Sequence, residues 1–188
     1  MKITLKKHPE LKLANKLIKK FPGAIIAGGV ARDLINGKEF KQVDIFIPAS
    51  TVAKLTKISF DLGCFATELN EESSIHDINF MANSQACFGI ANLDICIAHK
   101  HFDNAESLVS TFNMVSSQAW LEPTKDGFEV KATDFFHELN NKKILGFYEG
   151  VSLGSDHIVR IIEKYPDYLK LSLVQPASSD DGFSDIPF

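Results

Sequence analysis

Residues 24–47 hold the densest set of groups with chemistry: Gly28-Gly29-Val30-Ala31-Arg32-Asp33, then Gly37, then Lys41-Gln42-Val43-Asp44. A Gly-Gly step at a helix start exposes backbone N–H groups and lets a phosphate approach with no Cβ in the way. Gly28, Gly29, Arg32 and Lys41 are therefore candidate nucleotide- or DNA-binding residues. A carboxylate on the next strand, Asp44, is placed to hold Mg²⁺ against such a phosphate. Two readings stand for each charged member. Asp44 is either that ligand or a buried carboxylate capping a strand end. Arg32 either contacts phosphate or pairs with a local acid.

Other reactive side chains carry less. His76-Asp77 and His99-Lys100-His101 lack a Cys/His set with metal-site spacing and read as surface histidines. Ser116-Ser117 lacks the Gly-x-Ser-x-Gly elbow of a hydrolase. Most of the 15 phenylalanines belong to the core, with Phe102, Phe128 and Phe147 as candidates for stacking on bases.

The elements that must position these groups follow from periodicity. Pro9 suits a first helical turn, and Leu11, Ala14, Leu17 and Ile18 repeat at helical spacing, with Lys12, Lys16, Lys19 and Lys20 mostly off that stripe. Phe21-Pro22-Gly23 ends this helix, Ala24–Ala27 is a short buried strand, and Val30–Asn36 is a short helix closed by Gly37. Val43–Ile47 is a strand stopped by Pro48, and Ser50 caps a helix through about Ile58. Strands are expected at 64–67, 78–81, 87–90 and 93–97, and Asp103-x-x-Glu106 reads as a capping-box variant opening a helix toward Thr111. Phe128–Ala132 is a late strand. Thr133 caps a helix over Asp134–Lys143 with lysines in its last turn, and Asp156–Tyr165 is a helix stopped by Pro166. The order predicts an α/β (α+β) domain over 1–174, a mixed sheet flanked by helices. Residues 175–188, QPASSDDGFSDIPF, form a flexible acidic tail.

Composition bounds the function classes. With 45% apolar and 23% charged residues in 188, the chain is globular and long enough for one sizeable core. No apolar run nears the ~20 residues of a membrane span, and the first twelve residues carry no secretion-signal stretch. Cys64, Cys87 and Cys96 lie far apart, which argues against a disulfide scaffold and fits a reducing cytoplasm. Charge is uneven. Residues 1–21 hold seven lysines against Glu10, so a net −4 leaves −10 for the rest. No basic residue follows Lys170, while Asp180, Asp181 and Asp185 fall in the last nine. The basic head, with Lys16, Lys19 and Lys20, is either a polyanion-binding surface or a solvated helix face.

The stretch 24–47 resembles, without a gap, the head of the tRNA CCA-adding and poly(A) polymerase branch of the DNA polymerase β-like nucleotidyltransferase superfamily. That pattern is Gly-Gly-x-x-Arg-Asp, a Gly four residues on, then Asp-x-Asp on the next strand. Leu93-Asp94-Ile95 is similar to the strand bearing the superfamily's third carboxylate. Phe112-Asn113-Met114 is similar to the region after it, and Ile161–Tyr165, with Lys164, to an Arg-Ile-x-Lys-Tyr run. The resemblance implies the nucleotidyltransferase fold to about residue 150, and an Asp-x-Asp that chelates two Mg²⁺. Here the first aspartate falls on Gln42 and the second on Asp44. Gln42 is neutral and supplies no anionic ligand. Asp44 with Asp94 would hold at most one weak metal, so the centre reads as catalytically degenerate with no required cofactor.

The tip Asp185-Ile186-Pro187-Phe188 resembles, letter for letter, the end of bacterial single-stranded-DNA-binding proteins, and the preceding linker with its aspartates extends the likeness over about eleven residues. In that family the tip docks replication, recombination and repair proteins. A terminal Phe fills an apolar pocket while its carboxylate and upstream acids meet basic groups. The combined expectation is a single-stranded-DNA-binding protein on a degenerate nucleotidyltransferase fold, in a bacterial or phage-infected cell, with its tip recruiting host enzymes. The alternative is an active, Mg²⁺-dependent nucleotidyltransferase that carries a docking tail, with Asp44 and Asp94 catalytic.

Overall fold

The strand entering the glycine turn lies in the middle of a large sheet. The computed structural model describes residues 1–49, 52–62, 67–68, 84–90, 93–98, 102–148 and 156–173. Strands β1 (Lys2–Thr4), β2 (Ile25–Ala27), β3 (Val43–Pro48), β4 (Thr67–Glu68), β5 (Ser84–Ile90), β6 (Leu93–Ala98), β7 (Ala119–Pro123) and β8 (Gly127–Ala132) form one sheet in the order β1-β8-β7-β2-β3-β6-β5-β4. The pairing is antiparallel except between β3 and β6, which run parallel with Asp44 in register with Asp94. That parallel step needs a long crossover, and helix α3 (Val52–Leu62) lies within it. The expected mixed sheet flanked by helices is therefore the observed architecture.

Strand alternation separates two cores. Val43, Ile45 and Ile47 of β3, Ile26 of β2, and Ala119 and Leu121 of β7 face the larger one. Helices α1 (Leu11–Lys20) and α2 (Gly29–Ile35) cover it with Leu11, Ala14, Leu17, Ile18, Val30, Ala31 and Leu34. The alternate residues Ala27, Phe46 and Trp120 face a smaller core closed by helix α4 (Ala105–Val109) and Phe112. Asp44, between Val43 and Ile45, belongs to this second side.

A smaller unit completes the described chain. Strands β9 (Ile144–Tyr148) and β10 (Leu169–Leu173) pair in parallel, joined through helix α6 (Asp156–Lys164). Leu145 and Phe147 pack with Ile158, Ile161 and Tyr165. Helix α5 (Asp134–Asn141) packs on the opposite side of β9 through Leu139, beside Val115.

Several expectations change. The helix near 105 is capped by Asn104 and Ser107 in a reciprocal box, not by Asp103 and Glu106, because Asn104 accepts from the Ser107 N–H. Thr133 does cap α5, but the helix stops at Asn141, so Lys142 and Lys143 lie beyond its last turn. α3 runs on to Leu62. Phe128 and Phe147 are 0% and 2% exposed, so neither offers a ring to a base. β1, β7, β9 and β10 lie outside the strands expected from the sequence. Ser50, Cys64, the expected strand at 78–81, the histidines at 76, 99 and 101, and the tail from 174 lie outside the described residues. Among the described residues no helix is long and apolar enough to cross a membrane.

Candidate nucleotide and nucleic-acid site

The turn forms where β2 ends. Gly28 has φ 85° and ψ −134°, a conformation that side chains strongly disfavour. Its N–H donates to the Ala119 carbonyl at 2.8 Å, tying β2 to β7, and its own carbonyl accepts from Ala31 and Arg32 as α2 begins. A Cβ built on Gly28 would sit 3.6 Å from Asp44 Oδ2 and 3.8 Å from the Phe112 ring. The glycine turn and the Asp44 carboxylate are therefore neighbours.

Asp44 is half-buried on β3, while Lys41 and Gln42, just before the strand, are exposed. Asp94 is its register partner on β6. Among the described residues no group of three or more His, Cys, Asp or Glu side chains is placed to hold a metal. A two-Mg²⁺ centre needs several anionic oxygens held close together. Gln42, two residues before Asp44, is a neutral amide and supplies no anionic oxygen.

Arg32 and Asp33 are buried under the turn, with Arg32 Nη2 3.3 Å from a Cβ built on Gly29. Their side chains are 6% and 5% exposed, and Arg32 Nε donates to Asp33 Oδ1 at 2.9 Å. The same oxygen accepts from the Tyr165 hydroxyl at 2.8 Å, and Oδ2 accepts from Lys164 Nζ, which also donates to the Glu39 carbonyl. The Arg32 guanidinium lies 5.4 Å from the Tyr165 ring centre, and Lys38 Nζ lies 5.8 Å from it. The structure contains an Arg32–Asp33 ion pair. Burial raises the Tyr165 pKa; the Arg32 charge opposes this and the Asp33 charge adds to it, so the phenol stays a donor. A second polar cluster braces the same contact. Asn36 and Asn140 exchange amide hydrogen bonds at 3.1 Å, and the Tyr168 hydroxyl donates to Asn36 Oδ1 at 2.9 Å. Of this network the sequence signals only the run ending in Lys164-Tyr165; Asn36, Asn140 and Tyr168 carry no motif of their own.

The lysines lie elsewhere. Lys16, Lys19 and Lys20 are exposed on the outer face of α1, whose inner face covers the larger core. Lys20 Nζ donates to the Asp61 carbonyl at 2.7 Å. Asp44 belongs to the other side of the sheet, so the lysines and the Gly28–Asp44 pair do not share one groove floor. On the Asp44 side, at the far end of β3, Pro48, Ile25, Phe102, Lys54 and Asn104 line an open cavity of about 470 Å³. Phe102 is half-buried there, the one stacking candidate of the three that keeps accessible surface.

No family model matches the chain, and no curated protein matches its sequence. Solved structures match its fold. A CCA-adding enzyme in apo form II superposes with TM-score 0.55 at 14% identity, over 91% of this chain and 46% of that one. Apo form I of a CCA-adding enzyme gives 0.54 at 13% identity, over 90% and 40%. A tRNA-processing enzyme in apo form I gives 0.53 at 15% identity, over 91% and 45%. This likeness establishes a nucleotidyltransferase-like fold. The chain spans less than half the length of these structures.

Proposed function

We propose that this chain is a single-stranded-DNA-binding protein of replication and recombination, built on a nucleotidyltransferase-like fold that no longer transfers nucleotides. The observation that carries the reading is the donor set around the turn: among the described side chains, one half-buried carboxylate, Asp44, beside Gly28, with a neutral, exposed Gln42 two residues before it. Such a site retains a place for a nucleotide and lacks the charge for two-metal chemistry. The exposed lysines of α1 supply a surface for phosphates, and the Phe102 cavity supplies an aromatic face beside Lys54. The Asp185-Ile186-Pro187-Phe188 tip supports recruitment of host replication, recombination and repair proteins. The reading requires no cofactor.

A gel-shift comparison of single- and double-stranded DNA, run beside a labelled-NTP transfer assay with Mg²⁺ and with Mn²⁺, tests it. Single-strand binding without transfer supports the proposal. The register of Asp44 with Asp94 favours a second reading, an active metal-dependent nucleotidyltransferase. Robust transfer that disappears in Asp44→Ala would establish it in place of the first.

A further inference from the structure

The last described strand carries an uncovered edge. Among the described residues β10 pairs only with β9, and no strand lies along its other side. Parallel strands are usually buried on both faces, yet Leu169 is 71% and Leu171 42% exposed. Leu173 is half-buried and lies over β9 at Gly146, where a Cβ would come within 2.8 Å of Leu173 Cδ1. The register sets Leu169, Leu171 and Leu173 beside Ile144, Gly146 and Tyr148, on the side of α5. The three leucines form an i, i+2, i+4 stripe whose first two members face solvent.

The strand reads Leu-Lys-Leu-Ser-Leu, which is self-complementary about Leu171. If two copies pair antiparallel about that residue, Leu169 of each faces Leu173 of the other and the two Leu171 residues meet on the axis. Lys170 then faces Ser172. All six leucines share one face, and no like charges stand opposite each other. A slip of one residue would put lysine on the leucine face. A pairing centred on Lys170 would set the two ammonium groups directly opposite.

The geometry points to a second copy of this chain as the occupant of the β10 edge, in a two-fold dimer whose central sheet runs β9-β10-β10-β9. The contact is isologous, so it closes at two copies. A five-residue edge is smaller than the about 1,000 Å² of a stable interface, so the dimer forms with rising concentration. The inference does not depend on nucleic-acid binding.

Sedimentation of the full chain over a concentration series tests it, with Leu171→Lys, Leu171→Cys and Lys170→Cys alongside. The mass should rise from 20.9 kDa toward twice that value. Leu171→Lys places two ammonium groups on the axis and should remain monomeric with an unchanged circular dichroism spectrum. Under mild oxidation Leu171→Cys should cross-link into dimers beyond any seen for the native cysteines, because opposed Cβ atoms lie about 4.5–5.5 Å apart. Lys170→Cys should not, since it faces serine. A wild-type chain that stays monomeric, a dimer that survives Leu171→Lys, or equal cross-linking at 170 and 171 would each overturn the inference.

Discussion

Replacing Asp33 by Asn keeps the shape of the side chain and removes the charge that Arg32, Lys164 and Tyr165 share. Arg32 is then a cation 6% exposed, with its Nη1 already buried and without a hydrogen-bond partner. Removing one partner of a buried ion pair costs about 3–5 kcal/mol, because the other charge stays desolvated. Lys164, 29% exposed, can turn toward water and contributes less. Tyr165→Phe removes one hydrogen bond to an ionised acceptor, about 1.5–3 kcal/mol. Lys164→Met removes a charge near solvent, about 1 kcal/mol or less. The expected order of destabilisation is Asp33→Asn, then Tyr165→Phe, then Lys164→Met. In a chain of this size about 2–4 °C of Tm accompanies each kcal/mol, so Asp33→Asn should lower Tm by about 6–20 °C. Urea unfolding with unchanged m-values measures the series. An Asp33→Asn protein within about 1 kcal/mol of wild type, or one more stable than Lys164→Met, would refute the account of this network.

The raised Tyr165 pKa has a definite pH signature. Its folded value lies above the ordinary 10.0, so the unfolded chain ionises first. Stability contributed by the phenol is complete below pH 10 and declines as pH rises, by about 1.4 kcal/mol per pH unit; Tyr165→Phe should flatten the alkaline limb of a Tm–pH curve. Gly28→Ala meets only ordinary contacts but must adopt φ 85°, so chemical denaturation should register about 1–3 kcal/mol of strain. Replacing Lys16, Lys19 and Lys20 by Glu should weaken single-strand binding and reduce its salt dependence, which runs at about −0.7 per phosphate in log–log form; unchanged gel shifts would leave these lysines a solvated face. Deleting Phe188 should abolish pull-down of proteins that bind host single-stranded-DNA-binding tails while leaving Tm unchanged; retained pull-down would remove the docking role.

What could be read beforehand was local. The Leu11, Ala14, Leu17 and Ile18 stripe gave α1, the alternation from Val43 to Ile47 gave β3, and Thr133 marked the start of α5. The box at 104–107 was displaced by one residue because Asp103/Glu106 and Asn104/Ser107 offer the same spacing. The missed strands depend on distant partners. Lys2–Thr4 is three residues of a lysine-rich head, extended only because Glu129, Phe128 and Gly127 lie alongside. β9 and β10 pair across the whole of α6. The site divided in the same way. Gly28 and Asp44, sixteen positions apart, were legible as a pair. The burial of Arg32 was not, since Asp33 meets Lys164 and Tyr165 more than 130 residues downstream.

The clamp on Asp33 also bears on the order in which the chain can fold as it is synthesised. Helix α2 is complete by residue 35, but β7 and β8, which it packs against, arrive with residues 119–132. β1 finds its partner only with residue 127 onward. Lys164 and Tyr165 come later still. Until they emerge, the Arg32–Asp33 pair lacks two of its donors, and the native environment that buries it is incomplete. Translation proceeds at roughly 5–20 residues per second, so a nascent chain spends roughly 6–26 seconds with its glycine-turn segment synthesised and its final clamp absent. The turn is therefore among the first parts of the domain to be synthesised and among the last to be locked.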